Sequence, residues 1–331
     1  MLAEPDPVAA FLAAHEAGDP VALATSGTSS GAPRWVVRST GSWVTSFPAY
    51  SRLAEVGAGS RVWLPGPLEA TMNLFAAVHA AAVGARVVAA VEDATHAALT
   101  PSALARALDD GAPLGGRMLV VAGDRLSPGL HDRAVAAGAR LRHYYGAAEL
   151  SFVAWGRHAR DLRAFPGVQV EARDGEVWAR SPYLCTGYDG SPGPLRWDRH
   201  GFATVGDRGR LGQDPDGTGA LLLVRGRPGT LAVGGSTVEV AGVESVLAGA
   251  ATGEVVVVGV PHPVLGEVPA AVLTRAEDVA PVRRLARAEL TGPRRPRVWY
   301  LLERLPLTPA GKPDRAAVEQ AVAGPDARRL V

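Results

Sequence analysis

The chain has no isoleucine at all and holds one asparagine (Asn73), one cysteine (Cys185) and one lysine (Lys312) in 331 residues. A single cysteine excludes an intramolecular disulfide and any multi-cysteine zinc site, and fits a reducing compartment. Neither sign of charge is in excess. Lys+Arg 34 against Asp+Glu 33 leaves +1, which does not mark a dedicated nucleic-acid binder. No uninterrupted apolar run reaches the ~18–20 residues that span a bilayer. The opening MLAEPDPVAAFLAAHEAGDP carries acidic residues and prolines where a signal peptide needs basic ones. These absences predict a soluble cytoplasmic protein with neither nucleic acid nor membrane as partner.

The shortage of lysine is the most informative. Thirty-three of the 34 basic residues are arginine, as a bias that replaces lysine wherever either serves would produce. A compact ammonium acting as a point charge cannot be exchanged for a planar guanidinium, so the bias singles out Lys312 for a chemical role. What is present is ordinary for a globular chain: 47% hydrophobic and 20% charged residues, with length for about two domains at ~150 residues each.

Along the chain, the pattern predicts an apolar strand from Val21 to Ala24, a small-residue loop and a second strand from Trp35. A helix over Gly41 to Glu55, a strand at RVWLP, a helix at TMNLFAAVHAAAVG and a strand at ARVVAA follow. HAALTPSALARALDD reads as one amphipathic helix and GGRMLVVAG as a buried strand. Such alternation points to an α/β fold with parallel layering. Beyond about residue 165, short strands punctuated by Gly, Pro and Asp predict antiparallel β structure. The tail, with EVVVVGVPHPVLGEVPAAVLT, VRRLARAELT and VWYLLERL, reads as a small α/β domain. The Gly226–Gly229 cluster marks the boundary, giving domains of residues 1–227 and 228–331.

Three segments carry chemistry. Thr25-Ser26-Gly27-Thr28-Ser29-Ser30-Gly31, ending in Pro33-Arg34, can curl its backbone N–H groups into an anion nest, or be a flexible surface turn. The Walker A pattern is absent. Tyr144-Tyr145-Gly146-Ala147-Ala148-Glu149 offers a stacking ring, a glycine for close approach and a Mg²⁺-binding carboxylate; the alternative is a core aromatic and a solvated glutamate. Asp207, in the glycine-flanked GFATVGDRG, can accept both hydroxyls of a ribose or simply form a turn.

The order of these pieces resembles the adenylate-forming superfamily of acyl-CoA synthetases, nonribosomal adenylation domains and luciferases. TSGTSSGAPR looks like its phosphate-binding loop, YYGAAE like YGxTE, and DGEVWARSPYLCTGY like GExxxxGxxxxxGY. GFATVGDRGRL resembles the ribose-binding GDxG element, and VRGRPGTLAVGGSTVEVAGVES the GRxD hinge, glycine loop and ExE helix start. LPLTPAGKPDR is similar to LPxTxxGKxxR. The six matches cover roughly residues 20–316.

The resemblance implies a layered α/β N-terminal core with an additional antiparallel β subdomain and a small mobile α/β C-terminal domain. It also implies ATP, Mg²⁺ and CoA as cofactors and cosubstrates. A carboxylic acid would attack ATP to give acyl-AMP and pyrophosphate, and CoA would then take the acyl group as a thioester. Lys312 would be the catalytic cation. Thr25, Ser26, Gly27, Thr28, Ser29 and Arg34 would hold the phosphates, Tyr145 and Gly146 the adenine, and Asp207 and Arg227 the ribose. Glu149 would ligate Mg²⁺, Asn73 and Ala147 would face the acid, and Gly234 and Gly235 would line a thiol tunnel. Pro228 and Gly229 would form the hinge.

The match departs from the family pattern at several positions. The loop is one residue longer and ends in Arg34 rather than lysine, Ala148 replaces a threonine, Gly229 replaces the hinge aspartate, and Leu68 stands where histidine is usual. The phosphate loop begins only two dozen residues in, which predicts a minimal synthetase with a shortened N-terminal lobe.

Smaller signals have bland readings. Arg283, Arg284, Arg287, Arg294, Arg295 and Arg297 suit CoA phosphates or an acidic carrier protein, but read first as a solvated helix face. Trp35, Trp43, Trp63 and Trp155 read as core or pocket walls, His143 as a satisfied structural histidine and Cys185 as packing. The expected function is therefore an AMP-forming acyl-CoA synthetase, closer to free-standing CoA ligases of the o-succinylbenzoate type than to carrier-linked domains. The alternatives are transfer to a carrier protein or an amine, and a nucleotide-binding pseudoenzyme without turnover.

Overall fold

The computed structural model describes residues 4–25, 34–190, 192–213, 220–226, 229–306 and 313–330. The roles expected of Ser26, Gly27, Thr28, Ser29, Arg227, Pro228 and Lys312, and of the Thr25 side chain, lie outside the described residues. The chain divides into two compact units, Met1–Pro228 and Gly229–Val331.

A seven-stranded sheet organises the first unit. Its order is Arg86–Val88, Arg61–Trp63, His96–Leu99, Met118–Val121, Arg140–Ala147, Ser151–Gly156 and Arg163–Ala164, parallel over the first five and antiparallel over the rest. Helices Thr71–Ala82, Pro101–Asp109 and Pro128–Ala136 make the crossovers. His96–Leu99 and Met118–Val121 are buried at every position, as central parallel strands covered on both faces must be.

Two sequence expectations change here. HAALTPSALARALDD is not one helix. His96–Leu99 is a strand, and the helix starts at Pro101, where the Thr100 hydroxyl accepts from Ala103 N–H at 3.2 Å. A strand buried on both faces shows no alternation, so an alanine-rich one imitates a helix. The helix over Gly41 to Glu55 is two, Gly41–Val44 and Phe47–Ala54. Pro48 has no N–H for the Val44 carbonyl, and its ring crowds that carbonyl.

A second, wholly antiparallel sheet holds Gln169–Arg173, Glu176–Arg180, Arg196–Trp197, Ala203–Thr204, Arg208–Gln213 and Ala220–Gly226. A third joins Pro20–Thr25, Arg34–Ser39 and Gly187–Asp189. Its register pairs Thr25 with Arg34. The core is aromatic: Phe11 stacks on Trp43 at 5.1 Å, and Phe75 meets Phe152 edge-on at 4.8 Å. Trp43 and Trp155 are buried in it, as their pattern predicted.

In the second unit, the hairpin Val255–His262 and Gly266–Leu273 pairs Val258 with Ala270, and Val298–Leu301 joins it in parallel after helix Val279–Glu289. Val243, Leu247, Val257, Leu273, Val282 and Trp299 fill one side of this sheet. Val257, on the edge strand, is completed by side chains. Its N–H donates to Glu244 Oε1 at 2.8 Å and its carbonyl accepts from Arg315 Nη1 at 2.8 Å. Arg315 Nη2 closes the loop on Glu244 Oε2 at 2.7 Å, blunting an edge that would otherwise invite pairing. Among the described residues, no helix is long and apolar enough to cross a membrane.

Candidate active site

Strand Arg140–Ala147 carries the expected nucleotide residues to its C-terminal end. The ladder shifts register between Tyr145 and Gly146. A Cβ at Gly146 would lie 2.0 Å from the Ser151 carbonyl oxygen, so only glycine lets the chain turn there. Asp207 follows strand Ala203–Thr204 through Gly206, whose φ of 86° is also a glycine conformation. The outcome joins two motifs: the Tyr145 hydroxyl donates to Asp207 Oδ2 at 2.8 Å. A half-buried ring and a half-buried carboxylate are thereby held side by side.

Glu149 is 7% exposed and sits in the turn after that strand. Its Oε1 accepts the Tyr188 hydroxyl at 2.7 Å, and its carbonyl accepts Cys185 N–H at 2.8 Å. The preceding carbonyl, of Ala148, accepts from Arg38 Nη2 at 2.9 Å. Arg38 is fully buried against the Trp43 indole, 5.5 Å away. Burial brings its guanidinium down to about 10, while Cys185 and Glu149 pull it back up. Arg34 lies 5.7 Å over the Tyr188 ring. Cys185 is packing material as expected, its thiol pushed up to about 11 by burial.

The other expected residues have surroundings of their own. Asn73 is 3% exposed, donates to the Pro67 carbonyl at 2.9 Å and packs on Gly66, where a Cβ would meet its Nδ2 at 2.4 Å. Its amide group therefore braces the loop between Trp63 and Thr71. Ala147 ends its strand opposite Ser151. Gly234 and Gly235, in the second unit, form a hairpin turn with φ of 57° and 87°, the left-handed pair that a two-residue turn requires. Gly229 opens that unit at φ 73°, its carbonyl accepting Val240 N–H at 2.9 Å. His143 Nδ1–H donates to the Val121 carbonyl at 2.8 Å, and burial draws the ring down to about 4, as expected of a satisfied structural histidine. Of the arginine run, Arg284 and Arg287 are exposed while Val282 and Ala286 of the same helix are buried, a solvated face.

Arg38 and Tyr188 are the site residues that the pattern reading did not assign. Arg38 was visible as a charge in the buried phase of WVVRS, where Val36 is its neighbour two residues back. Tyr188 was only the last letter of a motif, since its carboxylate partner is 39 residues away in sequence.

The AMP-binding enzyme C-terminal domain family matches residues 242–312. YhfT, an uncharacterized acyl-CoA ligase of Bacillus subtilis, is 25% identical over 89% of this chain and 67% of its own length. The 2-succinylbenzoate–CoA ligase of Salmonella typhimurium is 34% identical over 35% of this chain and 27% of its own. The amide bond synthetase McbA of Marinactinospora thermotolerans superimposes with a TM-score of 0.71 at 28% identity, over 91% of this chain and 68% of that one.

Proposed function

We propose that the chain is an adenylate-forming ligase that activates a carboxylic acid with ATP and passes the acyl group to CoA, a reading supported by the C-terminal family match and the ligase relatives. The observation that carries this reading is the Tyr145–Asp207 hydrogen bond, which sets a stacking ring beside a carboxylate able to take a ribose diol. Glu149 stands at the end of the same strand.

In the first step the acid's carboxylate oxygen attacks the α-phosphorus, the bond to the β-phosphate bridge breaks, and pyrophosphate leaves. In the second the CoA sulfur attacks the acyl carbon and AMP leaves. Charge builds on the phosphoryl oxygens in the first step, and the compact ammonium of Lys312 is the group to meet it. Pro306 and Asp314, which bracket the segment bearing Lys312, are joined by a 2.8 Å backbone bond, and Arg315 anchors the exit on Glu244.

The residues present suit Mg²⁺. No cluster of three or more metal-ligating side chains occurs among the described residues, and Mg²⁺ is commonly held by one or two carboxylates plus substrate phosphates. Glu149 would be that carboxylate, and the ion would neutralise the triphosphate. Asp207 would hold the ribose with Arg227, Thr25 to Ser29 with Arg34 the phosphates, and Gly234 and Gly235 the thiol's path. Pro228 and Gly229 would form the pivot between residues 1–227 and 228–331.

CoA as acceptor is supported by the two acyl-CoA ligase relatives, one of them a 2-succinylbenzoate ligase. A second reading, transfer to an amine, is supported by the likeness to an amide bond synthetase. The test is a pyrophosphate-release screen over aryl, short-chain and dicarboxylic acids, followed by mass spectrometry with CoA, an amine or a carrier protein added. A thioester with CoA is expected. An amide or carrier-bound product alone moves the acceptor, and pyrophosphate release with no acid overturns the reading.

A further inference from the structure

We propose that Tyr188 is a positioning residue for the metal carboxylate: its hydroxyl fixes Glu149 through Oε1 and leaves Oε2 to face the cation. This inference rests on the reading of Glu149 as the Mg²⁺ ligand.

The Tyr188 oxygen is committed on both sides. It accepts Leu195 N–H at 3.2 Å, so its own proton points the other way, to Glu149 Oε1 at 2.7 Å. Glu149 Oε2 has no hydrogen-bond partner among the described residues. The ring cannot wander. A Cβ at Gly193 would lie 2.1 Å from its Cζ, and Arg34 covers it at 5.7 Å. Gly187, with φ 149°, turns the backbone that delivers it. Outer partners of this kind orient a ligand whose free rotation would otherwise be paid in affinity.

The test uses Mn²⁺ as a spectroscopic stand-in, titrated by electron paramagnetic resonance into the whole protein with an ATP analogue bearing a methylene between the α and β phosphorus atoms. Tyr188→Phe is expected to weaken Mn²⁺ binding about 10- to 100-fold, with the thermal midpoint nearly unchanged. Gly193→Ala, which crowds the ring without removing the hydroxyl, is expected to weaken it in the same direction and carries the test if the first variant misfolds. Glu149→Gln is expected to weaken binding at least as much, and adding Tyr188→Phe to it to change nothing further. Wild-type Mn²⁺ affinity in Tyr188→Phe beside a weakened Glu149→Gln overturns the role of Tyr188 alone. Wild-type affinity in Glu149→Gln removes Glu149 from the metal site, and the reading of Tyr188 falls with it.

Discussion

Tyr145 and Tyr188 each give a hydroxyl proton to a carboxylate, at 2.8 and 2.7 Å, and on the proposed function the two bonds would serve different ligands. Tyr145→Phe keeps the ring and removes the bond to Asp207. A hydrogen bond to a charged group contributes about 1.5–3 kcal/mol, so the KM for ATP is expected to rise at least about tenfold while the KM for the acid holds. Steady-state kinetics with both substrates varied checks this; an unchanged KM for ATP removes Asp207 from the ribose site. Residue-scale legibility was uneven for a physical reason. Lys312 stood out because a composition that replaces lysine with arginine leaves a single ammonium in the chain, though its surroundings lie outside the described residues. Asn73 followed the same logic of rarity; its amide N–H donates to the Pro67 carbonyl, and its buried Oδ1 has no hydrogen-bond partner among the described residues. Arg38 and Tyr188 have roles defined only by what other strands bring beside them, which no local window contains.

Helix Thr71–Ala82 shows how an element can carry a pH dependence that no motif announces. Its His79 is buried between Phe47, Tyr50 and Phe75 and bonded to Ser51 at 2.8 Å; burial draws it down to about 4, as it does His143. Between pH 6.5 and 4 the unfolded chain therefore binds protons that these rings refuse. Their contribution is complete above about 6.5 and is lost as the pH falls toward 4, by up to about 1.4 kcal/mol per pH unit for each ring. Thermal midpoints should fall steadily from pH 7 to pH 5, less steeply in His79→Gln; a flat profile would contradict the burial of both rings. The Glu244–Arg315 clasp makes a second element-scale prediction. Arg315→Ala strands the Val257 carbonyl and one carboxylate, and is expected to cost about 1–3 kcal/mol in a denaturant titration. No loss would mean that water serves the edge equally well. Elements with alternating or amphipathic patterns were legible, and so was the valine-bearing Met118–Val121, whereas His96–Leu99, equally buried but alanine-rich, was not.

At the scale of the molecule, what was readable was order. Motifs too weak to stand alone carry a resemblance to one family when six of them occur in sequence, and the mixed α/β sheets of both units bear out the fold so read. The acid was not readable, because a pocket's shape depends on side chains from several crossovers at once. The central proposal is that the Lys312 ammonium serves adenylyl transfer from ATP. It is tested most directly by acid-dependent exchange of labelled pyrophosphate into ATP in Lys312→Ala, with ATP binding measured alongside. The account predicts exchange reduced by about 10²- to 10³-fold or more with ATP binding retained. Exchange at the wild-type rate would contradict it.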